Sequence, residues 1–142
     1  MPTLLTVRTQ RFGDLQVSEE DRLRLLRPLA GFPETRHLLR LVLERQEPFV
    51  WLQSAEEPSV AFACAPCSWV RPGFVLEWPV WDRELWGEGS ATEVLALVSF
   101  QKGPAANLAA PLVLEHGNRR ALQVLNQAHG FGFAEPLLLQ RG

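Results

Sequence analysis

Cys64 and Cys67 stand two residues apart in Ala63-Cys64-Ala65-Pro66-Cys67-Ser68. That spacing serves thiol–disulfide exchange, and it also forms half of a zinc knuckle. Exchange chemistry wants the first thiol at a helix N-terminus, where free N–H groups and the dipole favour the thiolate. The following run, Ser68-Trp69-Val70-Arg71-Pro72-Gly73, is β-prone and ends in a Pro-Gly turn, so it predicts no helix. A structural zinc site needs four ligands, but the chain holds 2 Cys and 3 His, and His37, His116 and His129 are scattered. The preferred reading is structural: Cys64 ends a buried strand as a small hydrophobe, and Cys67 lies past a kink at Pro66.

No other constellation points to catalysis. The sequence has no glycine-rich phosphate loop, no Gly-x-Ser-x-Gly and no His-Glu-x-x-His. Glu56 and Glu57 are adjacent, so on a strand their carboxylates face opposite ways and form an exposed acidic turn, not an acid–base pair. Tyrosine is absent. The arginines Arg22, Arg24 and Arg27 are a candidate phosphate patch, but Glu19, Glu20 and Asp21 dilute them into a mixed-charge face.

The elements that must position these residues are short. Apolar runs alternate with Pro, Gly and acidic punctuation, predicting strands at Leu4–Thr9, Asp14–Val17, His37–Glu44, Phe49–Ser54 and Val60–Ala65. Four more are predicted at Phe74–Trp78, Val94–Gln101, Leu108–Glu115 and Ala121–Asn126. Two short helical turns are expected. One begins at Ser18-Glu19-Glu20-Asp21 and carries Leu23, Leu25 and Leu26 until Pro28 stops it; the other spans Asp82–Trp86, with Asp82 as its cap. Among the five tryptophans, Trp51 and Trp69 lie in strand-like runs and read as core. Trp78, Trp81 and Trp86 surround Pro79 and alternate with Glu77, Asp82 and Glu84, which fits a core flap or an interface, the core being favoured.

The totals agree with an all-β fold, a barrel or a sandwich, as a single domain over residues 1–142 with one or two short helical turns. With 46% hydrophobic and 21% charged residues, 142 residues can bury a core without staples. A formal net charge of -2 gives no global field to attract nucleic acid, and no apolar run approaches the roughly 20 residues that span a bilayer. The N-terminal residues lack signal-peptide features, so a cytoplasmic chain with reduced thiols is expected, binding neither nucleic acid directly nor membrane.

Several words stand out in order: Arg11-Phe12-Gly13-Asp14, Leu29-Ala30-Gly31-Phe32-Pro33-Glu34 and Pro48-Phe49-Val50-Trp51-Leu52-Gln53-Ser54. After them come Glu57-Pro58-Ser59-Val60-Ala61-Phe62, Ala106-Asn107-Leu108-Ala109-Ala110-Pro111-Leu112-Val113-Leu114 and Gln123-Val124-Leu125. Together they resemble the FliW family of bacterial flagellar assembly factors. The resemblance implies a compact antiparallel β-barrel-like domain with little helix and no enzyme activity; no cofactor or metal is expected. It implies two protein partners: CsrA, a dimeric RNA-binding repressor of flagellin translation, and flagellin itself. It also implies a chaperone-like role toward flagellin. The two cysteines fall where the family carries ordinary apolar and loop residues, whereas Pro66 matches a family proline. Pro28 and Ala30 depart from the family's Gly-Leu-Pro-Gly-Phe word.

Within the family-like words, Gln53, Ser54 and Asn107 are the polar candidates for partner binding, and backbone satisfaction at turns is an equal alternative. Pro111 in a strand run marks an edge or a bulge, where a partner strand could add. Glu56, Glu57, Asp82 and Glu84 are the candidate acidic contacts for basic CsrA. The competing function is a small-ligand-binding β-barrel whose pocket the Trp78, Trp81 and Trp86 cluster would line.

Overall fold

The computed structural model describes residues 4–137. Its strands are β1 (Leu4–Thr9), β2 (Gly13–Ser18), β3 (Arg22–Leu25), β4 (His37–Leu41) and β5 (Val50–Ser54). They continue with β6 (Ala61–Pro66), β7 (Glu93–Ser99), β8 (Ala105–Glu115), β9 (Arg120–Gln123) and β10 (Glu135–Pro136). Two short helices, α1 (Cys67–Val70) and α2 (Val80–Trp86), separate β6 from β7.

Seven strands, β3 to β9, form a ring in which each pairs with the next in sequence, and β9 returns to pair with both β8 and β3. The β3–β9 pair is parallel, with Arg24 opposite Arg120, whereas the other pairs of the ring are antiparallel. Closure removes the bare hydrogen-bonding edges of an open sheet. Alternation along each strand sends one set of side chains inward. Leu23, Leu25, Leu38, Val50, Leu52, Cys64, Leu95, Leu112, Leu114 and Ala121 meet there as one packed core. The lumen is therefore filled with side chains.

Two additions cover the outside. The β1–β2 hairpin lies against β4 and β5: Phe12 packs edge-on to Trp51 with ring centroids 5.7 Å apart, and the Gln10 N–H donates to the Pro58 carbonyl at 2.9 Å. On the opposite flank, α2 presses Trp86 against Val113, Leu122 and Val124.

Several sequence expectations are corrected. Ser18 does cap a helical turn, with its hydroxyl accepting from the Glu20 N–H and the Asp21 carboxylate accepting from the Ser18 N–H. That turn is a single 3-10 turn over Glu19–Asp21, and the chain then enters β3. Leu23 and Leu25 are two residues apart, a strand period that buries both, so the cap starts no longer helix. Phe74–Trp78 is extended but joins no strand; the Asn126 side chain satisfies it, accepting from the Glu77 N–H and donating to the Val75 carbonyl, both at 2.9 Å. The second helix starts two residues earlier than expected, with Pro79 in the cap position, and Asp82 is buried inside it.

The cysteine segment also differs from expectation. Cys67 opens the one-turn helix α1, where no helix is expected from sequence. Trp69 on that turn is 43% exposed and Trp51 is only half-buried, so neither is core. The tryptophan cluster splits: Trp86 is buried, Trp78 half-buried, and Trp81 is 63% exposed.

Candidate functional site

The residues singled out from sequence fall in three separate places. Gln53, Ser54, Glu56 and Glu57 come together at the turn leaving β5. Ser54 is buried, and its hydroxyl oxygen accepts from the backbone N–H groups of Glu56 at 3.2 Å and Glu57 at 2.9 Å. Buried Thr35 places its hydroxyl 2.9 Å from Ser54 Oγ and 2.6 Å from a Glu57 carboxylate oxygen. Gln53 is fully buried; its amide donates to the Ser54 carbonyl, and its carbonyl oxygen has no hydrogen-bond partner among the described residues.

Glu56 reaches the start of β4. Its carboxylate accepts from the backbone N–H of Arg36 at 2.7 Å and of His37 at 2.9 Å, and it contacts His37 Nδ1 at 2.7 Å. Burial pushes this carboxyl upward, but the N–H donors and the imidazole outweigh it and hold Glu56 below the usual carboxylate range. These residues satisfy backbone groups at a turn, and Glu56 still shows part of its carboxylate to solvent.

Asn107 and Pro111 shape a bulge in β8. The register jumps there, so that Ala96 of β7 faces the whole stretch from Leu108 to Pro111. The Asn107 carboxamide oxygen accepts from the N–H groups of Ala109 and Ala110, both at 3.0 Å. Pro111 is buried, and its carbonyl accepts from the Val124 N–H. Its place is a bulge covered by the Val124–Gly132 segment, not an open strand edge.

Asp82 and Glu84 share α2 but point apart. Asp82 is 1% exposed and accepts from Arg27 Nη1 at 2.6 Å, while Arg27 Nη2 donates to the Gln123 carbonyl at 2.8 Å. Glu84 lies outward beside Val80, Trp81 and Leu85, all of them exposed. A helix face with three large apolar side chains in solvent is the protein's clearest unpartnered surface. The sequence reading missed it because alternating acids and tryptophans do not disclose which side of a short helix is buried. The i, i+4 pair Asp82–Trp86 was the available signal, since it sets the inward stripe.

The cysteines occupy different packing environments, Cys64 in the barrel core and Cys67 in the cluster with Ala96, Ala106, Leu108 and Leu137. Burial pushes the Cys67 thiol up to about 12 and the Cys64 thiol higher still. Neither is an activated nucleophile at neutral pH. Among the described residues no group of three or more His, Cys, Asp or Glu side chains is placed to hold a metal ion. No helix among them is long and apolar enough to cross a membrane.

The barrel is closed and its core filled, Ser54, Glu56 and Asn107 bond to backbone groups at turns or the bulge, and an apolar helix face lies outside. The FliW protein family model matches residues 6–137, and the chain belongs to that family of flagellar assembly factors. It is 30% identical over 139 residues to the flagellar assembly factor FliW of Bdellovibrio bacteriovorus, covering 94% of this chain and 79% of the relative. It is 27% identical to that of Syntrophus aciditrophicus, covering 96% of this chain and 90% of the relative. A crystal structure of the flagellar assembly factor FliW superposes with a TM-score of 0.84 at 23% identity, covering 97% of this chain and 100% of the other.

Proposed function

We propose that this chain controls flagellin supply by exchanging protein partners. Free of flagellin, it holds the translational repressor CsrA off the flagellin message. Flagellin, as it accumulates, takes the chain away and repression returns. While bound, the chain shields flagellin in a chaperone-like manner. The observation that carries this reading is family membership across residues 6–137. The exposed Val80, Trp81 and Leu85 face supplies apolar surface of the kind that anchors protein interfaces, with Glu84 beside it to favour a basic partner.

Mutually exclusive partners each weaken the other's apparent affinity, so the switch needs no chemistry. The small-ligand alternative gains nothing from the fold, because the core side chains fill the lumen.

Titration calorimetry against CsrA and flagellin, singly and then in competition, tests the proposal. Saturable binding to each, with flagellin displacing CsrA, is the expected result. Simultaneous binding of both without mutual weakening would overturn partner exchange, and no heat with either would overturn the function.

A further inference from the structure

β3 is a strand and not a helix, and this changes what its arginines can do. Arg22 and Arg24 are two residues apart and share the outer face of the barrel. Arg24 stands opposite His37 in the β3–β4 pair. Arg119, just before β9, joins them, because the Arg24 N–H donates to the Arg119 carbonyl at 2.8 Å. Arg27, the third arginine of the sequence patch, is withdrawn to Asp82.

The result is a concavity of about 220 Å³ lined by Arg22, Arg24, Arg119, His37, Glu19 and Asn118. Three guanidinium groups face one lining carboxylate. Glu19 is an open partner, 3.5 Å from Arg22 with its side chain 58% exposed. Arg24 and Arg119 have no carboxylate within 4.0 Å among the described residues. Arg22 Nε is buried with no hydrogen-bond partner among the described residues. Arg119 adopts a left-handed backbone with φ 51°, a conformation an arginine rarely takes.

We propose that this concavity binds the phosphate group of a small phosphorylated molecule. Planar guanidinium forks match phosphate oxygens in pairs, and an anion would relieve the crowding of positive charge. A nucleic-acid strand fits poorly. It would lay further phosphates over Glu20, Asp21 and Glu56, which flank the concavity at the ends of β2 and β5 and would repel them. The site lies on β3, β4 and the turn before β9, and it stands independently of the partner-exchange proposal.

The test is an NMR titration of the purified chain that follows the arginine Nε–H signals. Sodium phosphate and ribose 5-phosphate are each compared with sodium chloride at matched ionic strength and pH. The expected result is saturating shifts of Arg22, Arg24 and Arg119 with phosphate, at a Kd of about 1 mM or below, and none with chloride. Equal affinity for the two probes identifies free phosphate as the ligand, and tighter binding of the sugar phosphate identifies an ester; either supports the site. Arg24→Gln and Arg119→Gly should each weaken binding at least about tenfold while the backbone spectrum stays dispersed. Glycine suits the left-handed position, so the second variant keeps the fold. Shifts that rise linearly without saturating, that appear equally with chloride, or that persist in both variants overturn the proposal. So does a short single-stranded RNA that binds far more tightly than either probe with a steep salt dependence.

Discussion

Arg40 on β4 and Glu93 on β7 join across one end of the barrel through two hydrogen bonds, Nε to Oε1 at 2.6 Å and Nη2 to Oε2 at 2.7 Å. His116 adds a third contact, its Nε2 lying 2.9 Å from Glu93 Oε1. Strands that are not neighbours in the ring are thereby tied by side chains. Burial pushes the Glu93 carboxyl upward, but the Arg40 and His116 contacts outweigh it and hold it below its ordinary value of 4.5. The same bonds raise Arg40 against the opposing effect of burial.

Glu93→Gln should cost about 1–2 kcal/mol at pH 7, trimmed by the partial exposure of both partners. A folded-state value below the unfolded one means the stabilisation is complete above the unfolded value and is lost as pH falls through the folded one. The gap between parent and variant in urea unfolding should therefore hold near neutrality and close only below pH 4.5. A gap unchanged at low pH would show that Glu93 acts by shape and not by charge.

Arg27→Ala strips the only charge partner of buried Asp82 among the described residues. An orphaned buried carboxylate should cost about 2–3 kcal/mol, and Asp82→Asn in the same background should recover part of it. Because Asp82 and Trp86 share the inward face of α2, tryptophan fluorescence during thermal unfolding should report the loosened helix directly.

Trp81→Ala removes a side chain that is 63% exposed. Stability should stay within about 0.5 kcal/mol of the parent, while affinity for at least one partner falls tenfold or more, about 1.4 kcal/mol. Calorimetry on this variant separates an interface anchor from a spectator. Unchanged affinity for both partners would remove α2 from the interface.

The thiols of Cys64 and Cys67 should resist a disulfide-exchange reagent in the native chain and react fully after unfolding in denaturant. With both values raised above the ordinary 9.0, the thiols add stability that is intact below that pH and is lost as pH climbs beyond it. Replacing both with alanine should leave partner binding unchanged. Rapid native reactivity would revive the redox reading.

Much of the barrel was legible because alternation and turn residues mark strands locally. β1, β2, β5 and β6 follow their apolar runs to within one residue at each end, whereas β8 starts three residues before its run and β9 stops three residues short of its own. The errors arise where a local signal is outvoted from a distance. Ser18 is a working helix cap, yet after one turn β4 and β9 recruit Arg22–Leu25 into the sheet. Phe74–Trp78 has strand composition, but the Asn126 side chain and the backbone of Gln127 and Arg71 supply its hydrogen bonds in place of a neighbouring strand. At the candidate sites, the backbone-capping alternative for Gln53, Ser54 and Asn107 was readable from residue type. The gathering of Arg22, Arg24, His37 and Arg119 was not, because it requires a parallel pairing between distant strands.

That parallel pairing also sets an order of events during synthesis. β3 leaves the ribosome well before β9, its parallel partner. Until β9 arrives, β3 and the end of β8 keep bare hydrogen-bonding edges, and the half-built sheet can recruit neighbouring chains. Closure therefore waits for β9, and a chain stopped before Arg120 would keep those edges bare.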